Sequence, residues 1–253
     1  MNLNGQAAIV TGGGSGLGAA TASLLAAGGC KVALLDINDA AAKAHAATIG
    51  GVGIRCDVSE AASAEAAMAA AKAAHGPARI LVNCAGIGTA GRVVGRDGPM
   101  KLDAFERTIR VNLIGTFNMI RLAAADMSAL DPLEDNERGV IVNTASIAAF
   151  DGQVGQAAYA ASKGGVVAMT LPIARELARA GVRVMTIAPG VFHTPMVDGL
   201  PPEIKKSLGD GVPYPQRLGL PEEYAALVGH ILANRFLNGE TIRLDGALRM
   251  APR

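Results

Sequence analysis

Tyr159 and Lys163 stand four residues apart in an alanine-rich stretch, with Ser146 shortly before them and Asn112 further upstream. On a helix, residues at that spacing project from one face, so an ammonium sits beside a phenol and lowers the cost of ionising it. A free phenol, with a pKa of about 10, is too weak an acid to exchange protons near neutrality. With the cation beside it, Tyr159 reads as a general base in one direction and a general acid in the other. Ser146 can donate to or accept from a substrate oxygen and so orient it. Asn112, in a stretch that reads as helix from Ala104 to Met127, can hold a water that links Lys163 to solvent, or can simply bridge backbone groups. The four residues fit interconversion of a secondary alcohol and a ketone, with Ser146 and Tyr159 on the substrate oxygen.

Hydride chemistry needs a carrier, and the N-terminal run Thr11-Gly12-Gly13-Gly14-Ser15-Gly16-Leu17-Gly18 has the composition of a pyrophosphate cradle. Gly12, Gly16 and Gly18 let the chain turn tightly after a strand and bring amides and a helix N-terminus against phosphate. Asp36 follows at the end of the next strand, at about the offset of 20 residues expected for a ribose-binding carboxylate. A carboxylate there accepts from ribose hydroxyls and repels a 2′-phosphate, which favours NAD over NADP; a plain N-cap or strand-end turn is the competing reading. Asp57 is suited to accept from an adenine amino group, and small Ala85 and Gly86 allow close approach to the adenosine ribose. Asn83 reads as a tie between loop backbones.

The elements that must position these groups are legible as continuous apolar runs: Ala7–Val10, Lys31–Leu35, Gly53–Cys56, Ile80–Asn83, Gly139–Asn143, Val182–Ile187 and Glu240–Leu244. Runs without alternation belong to strands buried on both faces, hence to a parallel sheet covered by helices. Alanine-rich segments such as Ala61–Ala74 supply the helices. The expected fold is α/β, a doubly wound, seven-stranded parallel sheet of the Rossmann type. No linker divides the chain, so one domain over residues 1–253 is expected. Two stretches read as irregular, Gly88–Met100 and His193–Pro221, the second with six prolines. Both follow strands and are candidate walls of a substrate cleft, with 193–221 as the substrate loop.

Bulk properties narrow the partners. The 253 residues are 50% hydrophobic and carry 23 basic against 22 acidic side chains, a net charge of +1. No electrostatic excess points to nucleic acid or to an anionic membrane; a small molecule fits better. The start of the sequence lacks a basic segment followed by an apolar one. The apolar stretch Gly164–Ala174 is too short to span a bilayer and reads as a buried core helix. Cys30, Cys56 and Cys84, odd in number and without CxxC spacing, and four scattered histidines argue against a metal site or a disulfide framework. A reducing, cytoplasmic compartment is expected.

With the glycine loop, Asn83-Cys84-Ala85-Gly86, Asn112, Ser146, Tyr159-x-x-x-Lys163 and Pro189-Gly190 in this order, the chain resembles the short-chain dehydrogenase/reductase family over essentially its whole length. Asn143 through Gly165, Met185–Gly190 and Phe236–Met250 look like its branch of type 2 3-hydroxyacyl-CoA dehydrogenases, also called type 10 17β-hydroxysteroid dehydrogenases. The resemblance implies NAD dependence, oxidation of acyl-CoA thioesters bearing a 3-hydroxyl, some activity toward steroid-like alcohols, and a homotetramer. It places Ser15, Leu17, Asp36, Asp57, Val58, Cys84, Tyr159, Lys163, Phe192 and Thr194 against NAD. Two positions depart from the pattern: Gly14, where relatives often have alanine, and His193, where a small residue is common. A hydroxysteroid dehydrogenase, a 3-oxoacyl thioester reductase and a non-catalytic NAD-binding module are the competing readings; Asp36 counts against an NADPH-dependent reductase. Lys205, Lys206 or Arg217 could meet the phosphates of a CoA thioester, or form a solvated face.

Overall fold

Seven of the apolar runs form strands of one sheet in the structure, a computed structural model that describes residues 1–96 and 98–252. Asp97 and Arg253, both within the expected 1–253 domain, lie outside the described residues. The strands are β1 (Ala7–Thr11), β2 (Lys31–Asp36), β3 (Val52–Arg55) and β4 (Ile80–Asn83), then a short antiparallel pair, β5 (Val94–Gly95) and β6 (Gly98–Pro99), and finally β7 (Gly139–Thr144), β8 (Val182–Pro189) and β9 (Thr241–Leu244). The sheet runs β3-β2-β1-β4-β7-β8-β9 and is parallel throughout. The order turns back at β1, which lies between β2 and β4. In such sheets, ligands bind at this reversal, beyond the carboxyl ends of the strands.

Both faces of the sheet are apolar. Ile9, Leu81, Ile141 and Val184 pack on one side with the helices α3 (Ala61–His75) and α5 (Gly115–Ser128). Val10, Val82 and Val142 pack on the other with α1 (Gly16–Ala27) and α9 (Pro221–Ala233). Neighbouring residues of one strand therefore serve opposite layers.

Four elements differ from their sequence expectations. The stretch 88–100, expected to be irregular, carries the short antiparallel pair β5 and β6. The helix expected over Ala104–Met127 is α4 (Leu102–Ile109) running into α5, with a π-helical segment, Arg110–Ile114, inserted around Asn112. Such insertions relieve a helix that must deliver one side chain off its regular spacing. The stretch 164–174 belongs to α6 (Ala157–Leu177) and is buried only along Val166, Thr170 and Ala174, while Leu171 is exposed. The loop 193–221 is partly helical, with α7 (Pro195–Asp198) and α8 (Pro202–Asp210). Its prolines explain the difference: Pro195, Pro202 and Pro221 each occupy the first turn of a helix, where a missing N–H costs nothing.

Candidate active site

The glycine loop leaves β1 and enters α1 with Gly12 and Gly16 at φ +64° and +52°, a region costly for any residue with a Cβ. Packing adds a second restriction. A Cβ on Gly12 would stand 2.8 Å from the Ala85 amide nitrogen, and one on Gly18 only 2.1 Å from the Gly12 carbonyl oxygen. Ser15 precedes α1 with its hydroxyl uncommitted to capping, and Leu17 begins the first turn. Loop, helix N-terminus and β4 end thus form a cradle whose floor is main chain, which fits a dinucleotide pyrophosphate.

Asp36 ends β2 beside this cradle. Its Oδ2 accepts from the Gly14 amide at 3.0 Å and its Oδ1 from the Asn38 amide at 2.9 Å. A Cβ at residue 14 would lie 3.0 Å from that Oδ2; glycine gives the carboxylate room to fold onto the loop. Turn chemistry and ribose recognition are compatible, since each carboxylate oxygen keeps a further acceptor site. Asp57 sits past β3, where its Oδ1 accepts from both the amide and the hydroxyl of Ser59. Val58 is buried beside it, and its carbonyl accepts from Asn118.

Beyond β4, Cys84, Ala85 and Gly86 turn along the cradle. The Thr11 hydroxyl oxygen accepts from the amides of both Cys84 and Ala85 at 3.2 Å. Asn83 donates to Asn143 on the neighbouring strand at 3.0 Å, a tie between strand ends.

The candidate proton-transfer residues converge at the ends of β4 and β7. Ser146 lies just past β7, and its Oγ accepts from the Ala148 amide at 3.1 Å, opening a short 3-10 turn. Tyr159 and Lys163 lie one turn apart near the start of α6, with the Lys163 Nζ 5.9 Å from the centroid of the Tyr159 ring. The ammonium donates to the Thr144 carbonyl at 2.8 Å. Asn112, fully buried, holds the Ile87 backbone at both its N–H (2.8 Å) and C=O (2.9 Å), and also donates to the Ser162 hydroxyl. Its side chain is thus a backbone bridge.

Electrostatics at this site run against the simplest expectation. Burial pushes the Tyr159 phenol up from its ordinary value, with the Ser146 hydroxyl pulling part of the way back. Burial also brings Lys163 down to about 8. The lysine does not make the phenol more acidic here, because its charge is turned to the Thr144 carbonyl and loss of solvent outweighs it. A further positive charge near the phenol is needed to favour phenolate.

Among the residues of the 193–221 segment, Phe192 is buried just before it and bridges to Gly219, whose lack of a side chain admits the ring: a Cβ there would meet ring carbons at 2.7 Å. Thr194 packs against Gly16 at the start of α1. The His193 side chain is exposed, lining a groove with Gly16 and Pro195. Arg217 forms a two-pronged pair with Glu223, at 2.8 and 2.7 Å, and Lys206 pairs with Asp210, so two of the three cations that could meet a CoA phosphate, all but Lys205, are held by carboxylates.

The profile of the short chain dehydrogenase family matches residues 6–205. The chain belongs to that family. It is 50% identical over 255 residues to human 3-hydroxyacyl-CoA dehydrogenase type-2, covering 99% of this chain and 98% of that one. A crystal structure of 3-hydroxyacyl-CoA dehydrogenase type-2 from Mycobacterium avium superposes with a TM-score of 0.93 at 42% identity, covering 98% of each chain. That of 3-ketoacyl-(acyl-carrier-protein) reductase from Brucella melitensis complexed with NADH gives 0.86 at 30% identity, covering 98% of this chain and 100% of the other.

Within this member of the short chain dehydrogenase family, sequence reasoning passed over Thr11, Thr144 and Gly219. The two threonines carry a usable signal: each is the last residue of a largely apolar strand, where its hydroxyl or carbonyl can serve the loops above. Gly219 carries none, since only the folded loop brings Phe192 to it.

Proposed function

We propose that the protein is an NAD-dependent dehydrogenase that interconverts 3-hydroxyacyl-CoA and 3-oxoacyl-CoA thioesters. The observation that carries the reaction is the convergence of Ser146, Tyr159 and Lys163 beside the glycine cradle and Asp36. The substrate class rests on half-identity over the full length to enzymes of that name. A bound nicotinamide ring supplies the hydride acceptor and, when oxidised, a positive charge at the phenol. Gly12, Ser15, Gly16, Leu17, Gly18, Asp36, Asp57, Val58, Cys84, Ala85, Gly86, Phe192 and Thr194 are the residues that would hold the dinucleotide. Asp36 supports NAD over NADP, because a carboxylate at the end of β2 would accept from ribose hydroxyls and repel a 2′-phosphate.

In alcohol oxidation, Tyr159 as phenolate takes the proton of the substrate hydroxyl as the C–H bond gives up its electron pair as hydride; in ketone reduction the phenol returns that proton. Ser146 holds the substrate oxygen in line. Lys163 would hold the nicotinamide ribose, and Asn112 fixes the Ile87 loop nearby. The whole chain acts as one nucleotide-binding unit, with 193–221 as substrate wall. Assembly as a homotetramer is supported by apolar side chains left exposed on the α4–α5 arm, Leu102, Ile114 and Phe117 among them. Oxidation of NADH on addition of acetoacetyl-CoA tests the reading; cofactor binding without turnover of this or any secondary alcohol would leave only a non-catalytic module.

A further inference from the structure

Tyr224, on α9, is the largest of the fully buried side chains and carries a hydroxyl into an apolar layer. A buried hydroxyl is costly unless partnered. Its partner is the Thr144 hydroxyl at 2.7 Å, and that hydroxyl in turn lies 2.6 Å from the Asn83 carbonyl. Counting protons fixes the direction. The carbonyl can only accept, so Thr144 gives its single proton to Asn83 and receives one from Tyr224. Burial pushes the Tyr224 phenol well above its ordinary value, so it keeps that proton at any working pH. The Cys84 Sγ, 3.8 Å from the phenol oxygen, completes the chain.

The geometry ties two strand ends together. Thr144 closes β7, Asn83 closes β4, and Tyr224 locks the hydroxyl that spans them. On the other side of this junction the Thr144 carbonyl receives the Lys163 ammonium. The ammonium also lies against the turn that follows β4: a Cβ on Gly86, three residues past Asn83, would be at ordinary contact distance, 3.5 Å, from the Nζ. The distance between the β4 and β7 ends therefore sets where the charge rests.

We propose that Tyr224 is a positioning residue for Lys163, acting through Thr144 from the opposite face of the sheet. Its kinetic readout rests on the dehydrogenase reading above, but its binding readout does not. Of the titratable groups around Lys163, Cys84 at the end of β4 acts on its charge and Tyr159 lies on its own helix; among the described residues no carboxylate does so.

The test is Tyr224→Phe, which keeps the ring, together with Thr144→Val, which removes the hydroxyl and leaves the carbonyl, and their double variant. NADH affinity is read by fluorescence titration across pH, and kcat and KM with acetoacetyl-CoA are read alongside. Each single variant is expected to weaken NADH binding roughly fivefold, the equivalent of one net hydrogen bond. The alkaline limb of NADH binding moves to lower pH, because a displaced ammonium loses the acceptor that favours it. The double variant is no worse than either single one, since all three break the same link. Unchanged NADH affinity and an unchanged limb, with only a lower Tm, would overturn the proposal and leave Tyr224 as core packing. Should Tyr224→Phe fail to fold, Thr144→Val decides by the same readouts. A wild-type protein that binds NADH but turns over no thioester would sink the proposed function while the titration still decides this inference.

Discussion

The Lys163 ammonium is held by the Thr144 carbonyl at 2.8 Å, while the Tyr159 ring centroid lies 5.9 Å away. The lysine is 5% exposed, and burial brings it down to about 8 from 10.5. A depressed lysine is a stability statement. Between those values the unfolded chain keeps the proton and the folded chain has released it, so unfolding free energy rises with pH across the window. Below about 8 both states are protonated and the folded protein bears the full cost of the buried charge, of order 3 kcal/mol at most. Lys163→Met removes this charge. Urea unfolding of the protein without cofactor is expected to show a steeper rise in stability between pH 8 and 10 for wild type than for the variant; parallel profiles would mean the lysine is not desolvated as its surroundings imply.

Tyr159→Phe keeps the ring and deletes the hydroxyl proposed to carry the proton. Loss of a positioned acid–base group costs ~10²–10⁴ in turnover, whereas NADH affinity is expected to stay within about twofold, the fold being untouched. Steady-state kinetics and a fluorescence titration separate the two. Turnover near that of wild type would end the proton-transfer assignment.

Ser146→Ala tests the coupling between hydroxyl and phenol. Burial raises the phenol and Ser146 opposes it, so removing the hydroxyl lets the phenol rise further. Alcohol oxidation requires phenolate and climbs with pH, so its ascending limb should move to higher pH in the variant while kcat falls. Ketone reduction requires the protonated form and should keep its plateau further into alkali. A fall in kcat with no movement of either limb would assign Ser146 to substrate orientation alone.

How much of this was legible in the sequence depends on where a residue's partners lie. The seven strands of the sheet and their parallel arrangement were readable because the inner strands meet apolar layers on both faces, as Val82 and Leu81 do. Tyr159 and Lys163 were readable because a single helical turn relates them. The electrostatic sign at Tyr159 was not. It depends on how deeply α6 seats the phenol and on which oxygen receives the ammonium, both consequences of packing. Helices α7 and α8 were hidden because a proline reads as a breaker until one sees that it starts the helix. Asn112 was found as a polar residue in the right order, yet its grip on both ends of Ile87 depends on a π-helical segment that no periodicity announces.

Gly18 and Gly164 make a paired test of the cradle. A Cβ on Gly18 would stand 2.1 Å from the Gly12 carbonyl oxygen, main chain that cannot step aside, while one on Gly164, inside α6, would meet nothing within 4 Å. Gly18→Ala is expected to cost about 3 kcal/mol or more and to abolish NADH binding, since relief requires moving the loop itself. Gly164→Ala should be neutral or stabilising by up to ~1 kcal/mol, the helix-propensity difference. Chemical unfolding and NADH titration of both proteins check the pair, and equal behaviour would contradict the packing.

Asp36 offers the sharpest separation of charge from structure. Its carboxylate accepts from the Gly14 amide with one oxygen and from the Asn38 amide with the other, so deleting it removes both a negative charge and two turn contacts. Asp36→Ala should therefore lose about 1–2 kcal/mol of stability by leaving these amides without their acceptor, as well as relaxing coenzyme choice. Asp36→Asn keeps one acceptor oxygen and the shape but carries no charge, so it should lose less stability. If repulsion of a 2′-phosphate is what excludes NADP, both variants should gain at least ~10-fold in kcat/KM with NADP relative to NAD. If only the alanine variant gains, steric room rather than charge sets the preference. If neither does, another group on the cradle makes the discrimination, and the ribose role of Asp36 falls.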